Sequence, residues 1–177
     1  QYEIGGYATS IIPTSGTTVT RNQDLATNSG NSTLINSSEG VFYVEIAALA
    51  EETLIRYITI SDGTASNRII IYITDVGVIK FNVIVGGAAQ AAKIMTGQTT
   101  TNFNKLAVSY KENDIRFYIN GVKVKNDTTA LAFPINTLNV INFAASNGGG
   151  VFYGKTKALA VFKTALTDAE LISLTTI

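Results

Sequence analysis

The chain has 177 residues, of which 46% are hydrophobic and 15% charged, and its 13 basic and 13 acidic residues give a formal net charge of zero. That length suits one domain with a substantial core, whereas the balanced charge disfavours a nucleic-acid binder, which needs an excess of Lys and Arg. The sequence contains no cysteine and no histidine, which excludes disulfides, thiolate or histidine metal sites and a Ser-His-Asp triad. No apolar run approaches the roughly 18 residues of a membrane span, so we expect no membrane insertion.

The N-terminal segment is expected to be a junction. Residues 1–14 are assigned to the end of an upstream domain and to part of a first strand, at 7–12, which Pro13 stops. The segment has neither an initiator Met nor the features of a signal peptide, so we expect the chain to be a processed piece of a longer polypeptide. Residues 15–177 are expected to form the domain itself, beginning with the polar, loop-like stretch 14–38.

Alternation of apolar and polar residues with a period of two predicts the remaining strands. These are residues 40–49, 55–61, 67–74, 78–85, 90–95, 105–110, 114–119, 122–125, 138–144 and 151–162. The Asn120-Gly121 pair predicts a tight type I′ turn. The capping box of Thr167 and Glu170 predicts one short C-terminal helix that packs Leu171 against the sheets. The expected fold is all-β, with about twelve strands in two stacked antiparallel sheets.

Two segments resemble the patterns of a known family. Residues 105–122 (KLAVSYKENDIRFYINGV) resemble the W-x-H-V-A-V-T-Y…L-x-L-Y-V-N-G pattern of laminin-G-like, concanavalin A-like domains. Residues 152–154 (FYG) with 159–171 (LAVFKTALTDAEL) resemble that family's closing pattern, F-x-G…V-x-I-Y-x-x-A-L-S-D-A-E-I. The resemblance implies a jelly-roll sandwich with one concave face. It also implies glycan binding, sometimes with calcium, although some members of the family are glycosidases.

The N-terminal residues carry a second resemblance. Residues 6–14 and 18–22 are similar to a junction that precedes concanavalin A-like modules in bacteriophage tail and fibre proteins. This similarity implies neighbouring domains in the same polypeptide and an extracellular or virion-surface location.

The chain departs from the family pattern in three ways. Phe103 or Asn104 and then Lys105 stand where the pattern has Trp and His, and residues 156–158 (Thr-Lys-Ala) replace the acidic pair that precedes the last strand. The chain also contains no Trp, which is the favoured platform for stacking sugars. A cation in place of a carboxylate disfavours a calcium site at that position.

Catalytic residues are not predicted. A glycosidase needs two carboxylates about 5 to 10 Å apart, and enzymes of this fold usually carry them two residues apart on one strand. The pairs Glu112/Asp114 and Asp168/Glu170 instead fall in a hairpin loop and a helix cap, and Glu45 is the one acid within a long predicted strand. A glycosidase remains an alternative in which a distant acid faces Glu45.

A ligand-binding face is predicted from the side chains that point away from the core. Sugars are bound by aromatic faces and by amide, carboxylate or Arg groups. Alternation along the paired strands 105–110 and 114–119 places one such set outward, with the strands 67–74 and 78–85 extending the patch. The candidates are Arg116, Tyr118, Asn120, Ser109, Tyr72 and Asn82. The alternative is an ordinary polar sheet face, and a register error of one residue would reverse each assignment.

Asp24 and Asp62 are the candidate metal ligands. Both fall in predicted loops, and calcium takes about six to eight oxygen ligands. The alternative is that Asp62-Gly63 is ordinary turn chemistry. No cofactor is expected, and calcium is the alternative.

The favoured function is a non-catalytic carbohydrate-binding or receptor-binding module whose partner is a glycan or a cell-surface polysaccharide. A structural or assembly module of a virion and a glycoside hydrolase of the same fold are the alternatives. The runs 69–73 and 83–85 are apolar on both faces, which indicates either central strands or contact with another subunit in a homo-oligomer.

Overall fold

The computed structural model describes residues 16–17, 29–51 and 53–177. The predicted strand 7–12 and the metal candidate Asp24 lie outside these residues. Ten strands and one helix follow one another in the described part. They are β1 Glu39–Ala48, β2 Arg56–Ser61, β3 Arg68–Ile73, β4 Ile79–Val85, β5 Ala88–Met95, β6 Asn104–Lys111, β7 Ile115–Ile119, β8 Val122–Asp127, β9 Val140–Asn142, β10 Gly154–Phe162 and α1 Asp168–Thr175.

The strands form two five-stranded sheets. The first sheet has the order β10-β1-β6-β7-β8 and the second sheet has the order β5-β4-β3-β2-β9. Every recorded pairing is antiparallel. The prediction of an all-β sandwich with one short C-terminal helix is therefore confirmed.

The core lies between the two sheets because alternate residues of each strand point inward. One large apolar cluster joins both sheets. Ile69, Ile71 and Ile73 supply it from β3, and the Phe81 ring of the second sheet stacks on the Phe117 ring of the first with 5.1 Å between centroids. Burying one such side chain stabilises the fold by about 1.5–3 kcal/mol.

Each of the ten strands predicted within the described residues is present, but two are shorter than expected by three or more residues. The predicted strand 138–144 is reduced to β9, and 151–162 begins only at Gly154. Between them the backbone turns back on itself, with the Ala145 amide donating to the Gly149 carbonyl. Gly148 and Gly150 have φ of 83° and 58°, a conformation that ends a strand.

The turn between β7 and β8 has the predicted type I′ geometry, with φ of 48° at Asn120 and 81° at Gly121. The Asn120 side chain is also used structurally. Its Oδ1 accepts the Lys105 amide at 2.9 Å, and its Nδ2 donates to Asn104 Oδ1 at 2.8 Å. These bonds tie the turn to the start of β6.

Helix α1 begins at the predicted capping box. Thr167 Oγ1 accepts the Glu170 amide, and the Glu170 carboxylate accepts the Thr167 amide. The helix packs on the outer face of the first sheet, where Leu171 is buried against Val41 and Tyr43. Among the described residues, no helix is long and apolar enough to cross a membrane.

Candidate functional site

The predicted patch on β6 and β7 lies beneath helix α1. Arg116, Tyr118 and Ser109 do face away from the core, as the alternation indicated. However, Tyr118 and Ser109 are 0% exposed, and Leu171 of the helix packs in the same cluster as Tyr118. The expectation that this face is open to a ligand is therefore corrected, because a remote C-terminal segment covers it.

Asp168 is the residue that satisfies the polar groups under the helix. One of its carboxylate oxygens, Oδ1, accepts from Arg116 Nη1 at 2.6 Å and from the Tyr118 hydroxyl at 2.7 Å, while Oδ2 pairs with Lys123. Hydrogen bonds from Lys123, Tyr118 and Arg116 hold the pKa of Asp168 well below its usual range. Burial, together with the Asp168 carboxylate, raises the pKa of Tyr118 to about 12.

Arg116 is fully engaged by this arrangement. Its Nη2 donates to the Leu166 carbonyl at 2.9 Å, and its Nε pairs with Asp114 at 2.9 Å. A ligand that bound Arg116 would have to replace these contacts. Asn120 is likewise occupied by its turn and by Asn104. The binding role of these residues stays a prediction, but their contacts are structural.

Tyr72 and Asn82 do not extend this patch, because they belong to the other sheet. Both face away from the core, as predicted, on the outer face of the second sheet. The strand register assembles that face from three cross-strand rows. The rows are Ile94-Lys80-Tyr72-Tyr57, Ala92-Asn82-Ile70-Thr59-Asn142 and Ala89-Ile84-Arg68-Ser61-Val140. We call this surface the second-sheet face.

Aromatic rings and a cation lie side by side at one end of the second-sheet face. The Tyr57 and Tyr72 rings are 5.0 Å apart between centroids and tilted by 36°. Lys80 Nζ sits 5.8 Å from the centroid of the Tyr72 ring. Burial and the neighbouring Tyr57 raise the pKa of Tyr72, while Arg68 lowers it. The Tyr72 hydroxyl therefore interacts electrostatically with both side chains.

The loop 143–153 overlies strand β2 on this face. The Tyr57 amide donates to the Gly150 carbonyl at 3.0 Å, and Thr59 Oγ1 donates to the Ala144 carbonyl at 2.8 Å. Arg68 Nη1 reaches the Ser146 hydroxyl at 3.3 Å. The loop therefore stands beside Arg68 and covers the β2 edge of the second-sheet face.

Two polar atoms of the second-sheet face lack a partner. Arg68 Nε and Asn82 Oδ1 are both buried and make no hydrogen bond within the part of the chain that the structure describes. Since buried polar groups are nearly always paired, this unpaired donor and acceptor make the second-sheet face a candidate ligand site.

Sequence reasoning did not assign Tyr57 or Arg68 to this face. Yet Arg68, Ile70 and Tyr72 are spaced by two residues, as Ile69, Ile71 and Ile73 are. That spacing was the available signal, because it puts Arg68 on the same outward face as Tyr72.

Asp62 is committed to its own turn. Its Oδ1 accepts the Thr64 amide and hydroxyl, and its Oδ2 accepts Asn67 Nδ2 at 2.9 Å. Burial opposes the shift, but the hydrogen bonds from Thr64 and Asn67 lower the pKa of Asp62. No cluster of three or more acidic or other metal-binding side chains occurs in the described ranges. Asp62 is thus engaged by its turn, and its role as a metal ligand stays a prediction.

The acids considered for catalysis are also engaged. Glu45 is 6% exposed and pairs with Lys157 Nζ at 2.7 Å. Asp114 pairs with Arg116, and Glu170 with the amide of Thr167. Each of these carboxylates therefore already has a partner within the protein.

The chain was compared with known proteins. Residues 42–172 match the family model described as the concanavalin A-like lectin/glucanases superfamily. No curated protein matches. Among solved structures, the CBM40 module of the Ruminococcus gnavus IT-sialidase bound to α2,3-sialyllactose superposes with a TM-score of 0.66. The two are 18% identical, over 85% of this chain and 93% of that one.

Two whole enzymes contain a similar domain. The leech intramolecular trans-sialidase superposes with a TM-score of 0.61 at 19% identity, over 80% of this chain and 24% of that chain. The NanB sialidase from Streptococcus pneumoniae gives a TM-score of 0.61 at 19% identity, over 80% of this chain and 25% of that chain. At these identities the similarity shows the fold. The sandwich, its closing helix and the family match over most of its length together show that this chain belongs to the concanavalin A-like lectin/glucanase superfamily.

Proposed function

We propose that this domain is a non-catalytic carbohydrate-binding module whose site is the second-sheet face around Tyr72, Asn82 and Arg68. The observation that carries the proposal is the pair of buried, unpartnered polar atoms, Arg68 Nε and Asn82 Oδ1, beside two tyrosine rings. A saccharide supplies the matching groups, since its hydroxyls both donate and accept and its C–H faces stack on aromatic rings.

The fold relatives support this class of function. The CBM40 module is a binding module of nearly the same extent as this chain, and its structure was solved with a bound sialylated sugar. The absence of histidine and the structural contacts of Glu45 and Asp114 favour binding without hydrolysis.

We place the site on the second sheet because the other outer face is closed. Helix α1 buries Tyr118, and Asp168 occupies the Arg116 guanidinium. On the second-sheet face, by contrast, Tyr57, Tyr72, Lys80, Asn82 and Arg68 all keep part of their surface exposed.

The first test is a glycan array with the labelled domain, run in calcium and in chelator. We expect selective binding that persists in chelator. Tyr72→Ala should weaken it by about five- to tenfold, since the loss of one aromatic contact costs about 1 kcal/mol. Phe103→Ala is the matched control, because it removes a partly exposed ring that contacts Lys157 of the first sheet.

The outcomes separate the alternatives. One outcome is that Tyr72→Ala leaves binding intact, whereas Arg116→Ala abolishes binding and the protein remains folded. That outcome would assign the site to the first sheet. Binding that requires calcium would revive the metal proposal. No binding by a folded sample would favour a structural or assembly module.

We also propose that the module is displayed on an extracellular or virion surface. The support is the similarity of residues 6–14 and 18–22 to phage fibre junctions. Binding of the labelled domain to intact bacterial cells, and its loss after surface polysaccharide is removed, would test this setting.

A further inference from the structure

Within the described part of the chain, the second-sheet face carries positive charge and no acidic residue in its three cross-strand rows. Its outward-facing residues include two cations, Arg68 and Lys80, and none of the residues in its three cross-strand rows is Asp or Glu. Neither cation forms an ion pair within the described residues. The first sheet differs, because Arg116, Lys123 and Lys157 on its outer side are all paired with carboxylates.

Arg68 is hydrogen-bonded on one side of its guanidinium and lacks an acceptor on the other. Its Nη1 is anchored by the Ser146 hydroxyl, which lies in the loop 143–153 and is itself buried. Its Nε, on the other side of the guanidinium, is buried and lacks an acceptor among the described residues. The Nε edge of a guanidinium presents two parallel N–H groups to a carboxylate, so an anionic oxygen is the acceptor that it matches best.

Asn82 adds an acceptor close to that edge. Asn82 is opposite Ile70 and Arg68 is opposite Ile84, so the two polar residues are diagonal neighbours about 7–8 Å apart on adjacent strands. That separation suits a sugar ring that spans both. A ring carboxylate would accept from Arg68, while a hydroxyl or N-acyl amide of the same ring would donate to Asn82 Oδ1.

We propose that the saccharide bound on the second-sheet face carries a carboxylate, which Arg68 binds directly while Lys80 adds long-range attraction. This inference rests on the proposed function. A terminal nine-carbon sialic acid and a uronic acid within a polysaccharide share this chemistry, and the experiment distinguishes them.

The test is a calorimetric titration of the intact chain with matched acidic and neutral sugars. One pair is 3′-sialyllactose and its methyl ester, in which the charge of the carboxylate is removed and one methyl group is added. The other is a glucuronate-containing oligosaccharide and its carboxyl-reduced counterpart. We expect one acid to bind at least about tenfold more tightly than its neutral partner, the usual effect of a charge-assisted hydrogen bond. The pair that shows the difference identifies the source of the carboxylate.

Variants then test whether Arg68 is responsible for the preference for the acidic sugar. Arg68→Gln should reduce binding of the acid to the level of its neutral partner, with little change for the neutral sugar. Lys155→Gln removes an exposed cation from the first sheet and should leave the preference intact. If Arg68→Gln fails to fold, Asn82→Asp provides the second test, because a new carboxylate near Arg68 should selectively weaken the acidic ligand.

Two results would overturn the inference. Equal affinities for both members of each pair, with binding still lost in Tyr72→Ala, would refute the carboxylate and keep the carbohydrate-binding function. No binding to any sugar, on the array or by titration, would overturn both proposals.

Discussion

Among single residues, Asp168 joins helix α1 to two neighbouring strands of the first sheet. It sits at the start of α1 and accepts from Arg116 and Tyr118 of β7 and from Lys123 of β8. Tyr118 is completely buried, so its hydroxyl has no alternative partner in solvent. The contact with Lys123 is worth less, because both of its side chains are more than a third exposed.

Asp168→Ala should therefore destabilise the fold by about 2 kcal/mol, most of it from the Tyr118 hydroxyl that loses its acceptor. Urea denaturation monitored by circular dichroism measures this. Glu112→Ala is the control, since Glu112 is an exposed loop carboxylate and its removal should change stability by less than about 0.5 kcal/mol. Equal effects of the two substitutions would refute the role given to Asp168.

Among the elements, α1 depends on its packing. Its 8 residues are too few for a stable isolated helix in water, so the helix persists because its buried face lies on the first sheet. Leu171 is 0% exposed, whereas its neighbour Ile172 is 44% exposed. These two adjacent residues of the helix therefore contribute very differently to the stability of the fold.

Leu171→Ala should cost about 3 kcal/mol, within the range for a buried leucine. Ile172→Ala, a similar deletion on the exposed side, should cost well under 1 kcal/mol. Thermal unfolding of the two variants provides the comparison. If the two losses were the same, the helix would not be attached through Leu171.

The strands show what alternation in a sequence can and cannot predict. It assigned the core side of β6 and β7 correctly, since Leu106, Val108 and Phe117 are all in the central cluster. It could not predict that Tyr118 is covered, because the covering residue Asp168 is 50 positions away in the chain. Period two specifies which residues share a face, but only tertiary contacts decide which face is closed.

The candidate site was partly predictable, because alternation shows which residues of a strand share a face. Tyr72 and Asn82 were identified by their alternation with buried Ile71 and Phe81. Their separation from Arg116 was not predictable, because it depends on how ten strands are divided between two sheets. The unpartnered Arg68 Nε appears only when the loop 143–153 is placed beside it.

In the whole molecule, the pKa shifts of the carboxylates determine how stability depends on pH. The pKa values of Glu51, Asp62, Asp127, Asp168 and Glu170 are all lowered by hydrogen bonds or ion pairs in the folded state. A carboxyl group whose pKa is lower in the folded state than in the unfolded state stabilises the fold when the pH is above the unfolded-state pKa of about 4. That stabilisation is lost as the pH falls through the folded-state pKa.

The free energy of unfolding should thus decrease steadily from about pH 5 to pH 2. Asp168→Asn should flatten this decrease, because the strongest shift belongs to that group. Denaturation curves at a series of pH values would show it. An Asp168→Asn protein with the same pH slope as the wild type would contradict the assignment.

The pairing of β1 with β10 also constrains the order of events during synthesis. Val41 of β1 pairs with Phe162 of β10, so one edge of the earliest described strand has no partner until β10 has been made. At about 5–20 residues per second, that edge waits on the order of ten seconds after β1 leaves the ribosome. A chain truncated by premature termination before β10 would therefore carry an open strand edge prone to association with other chains.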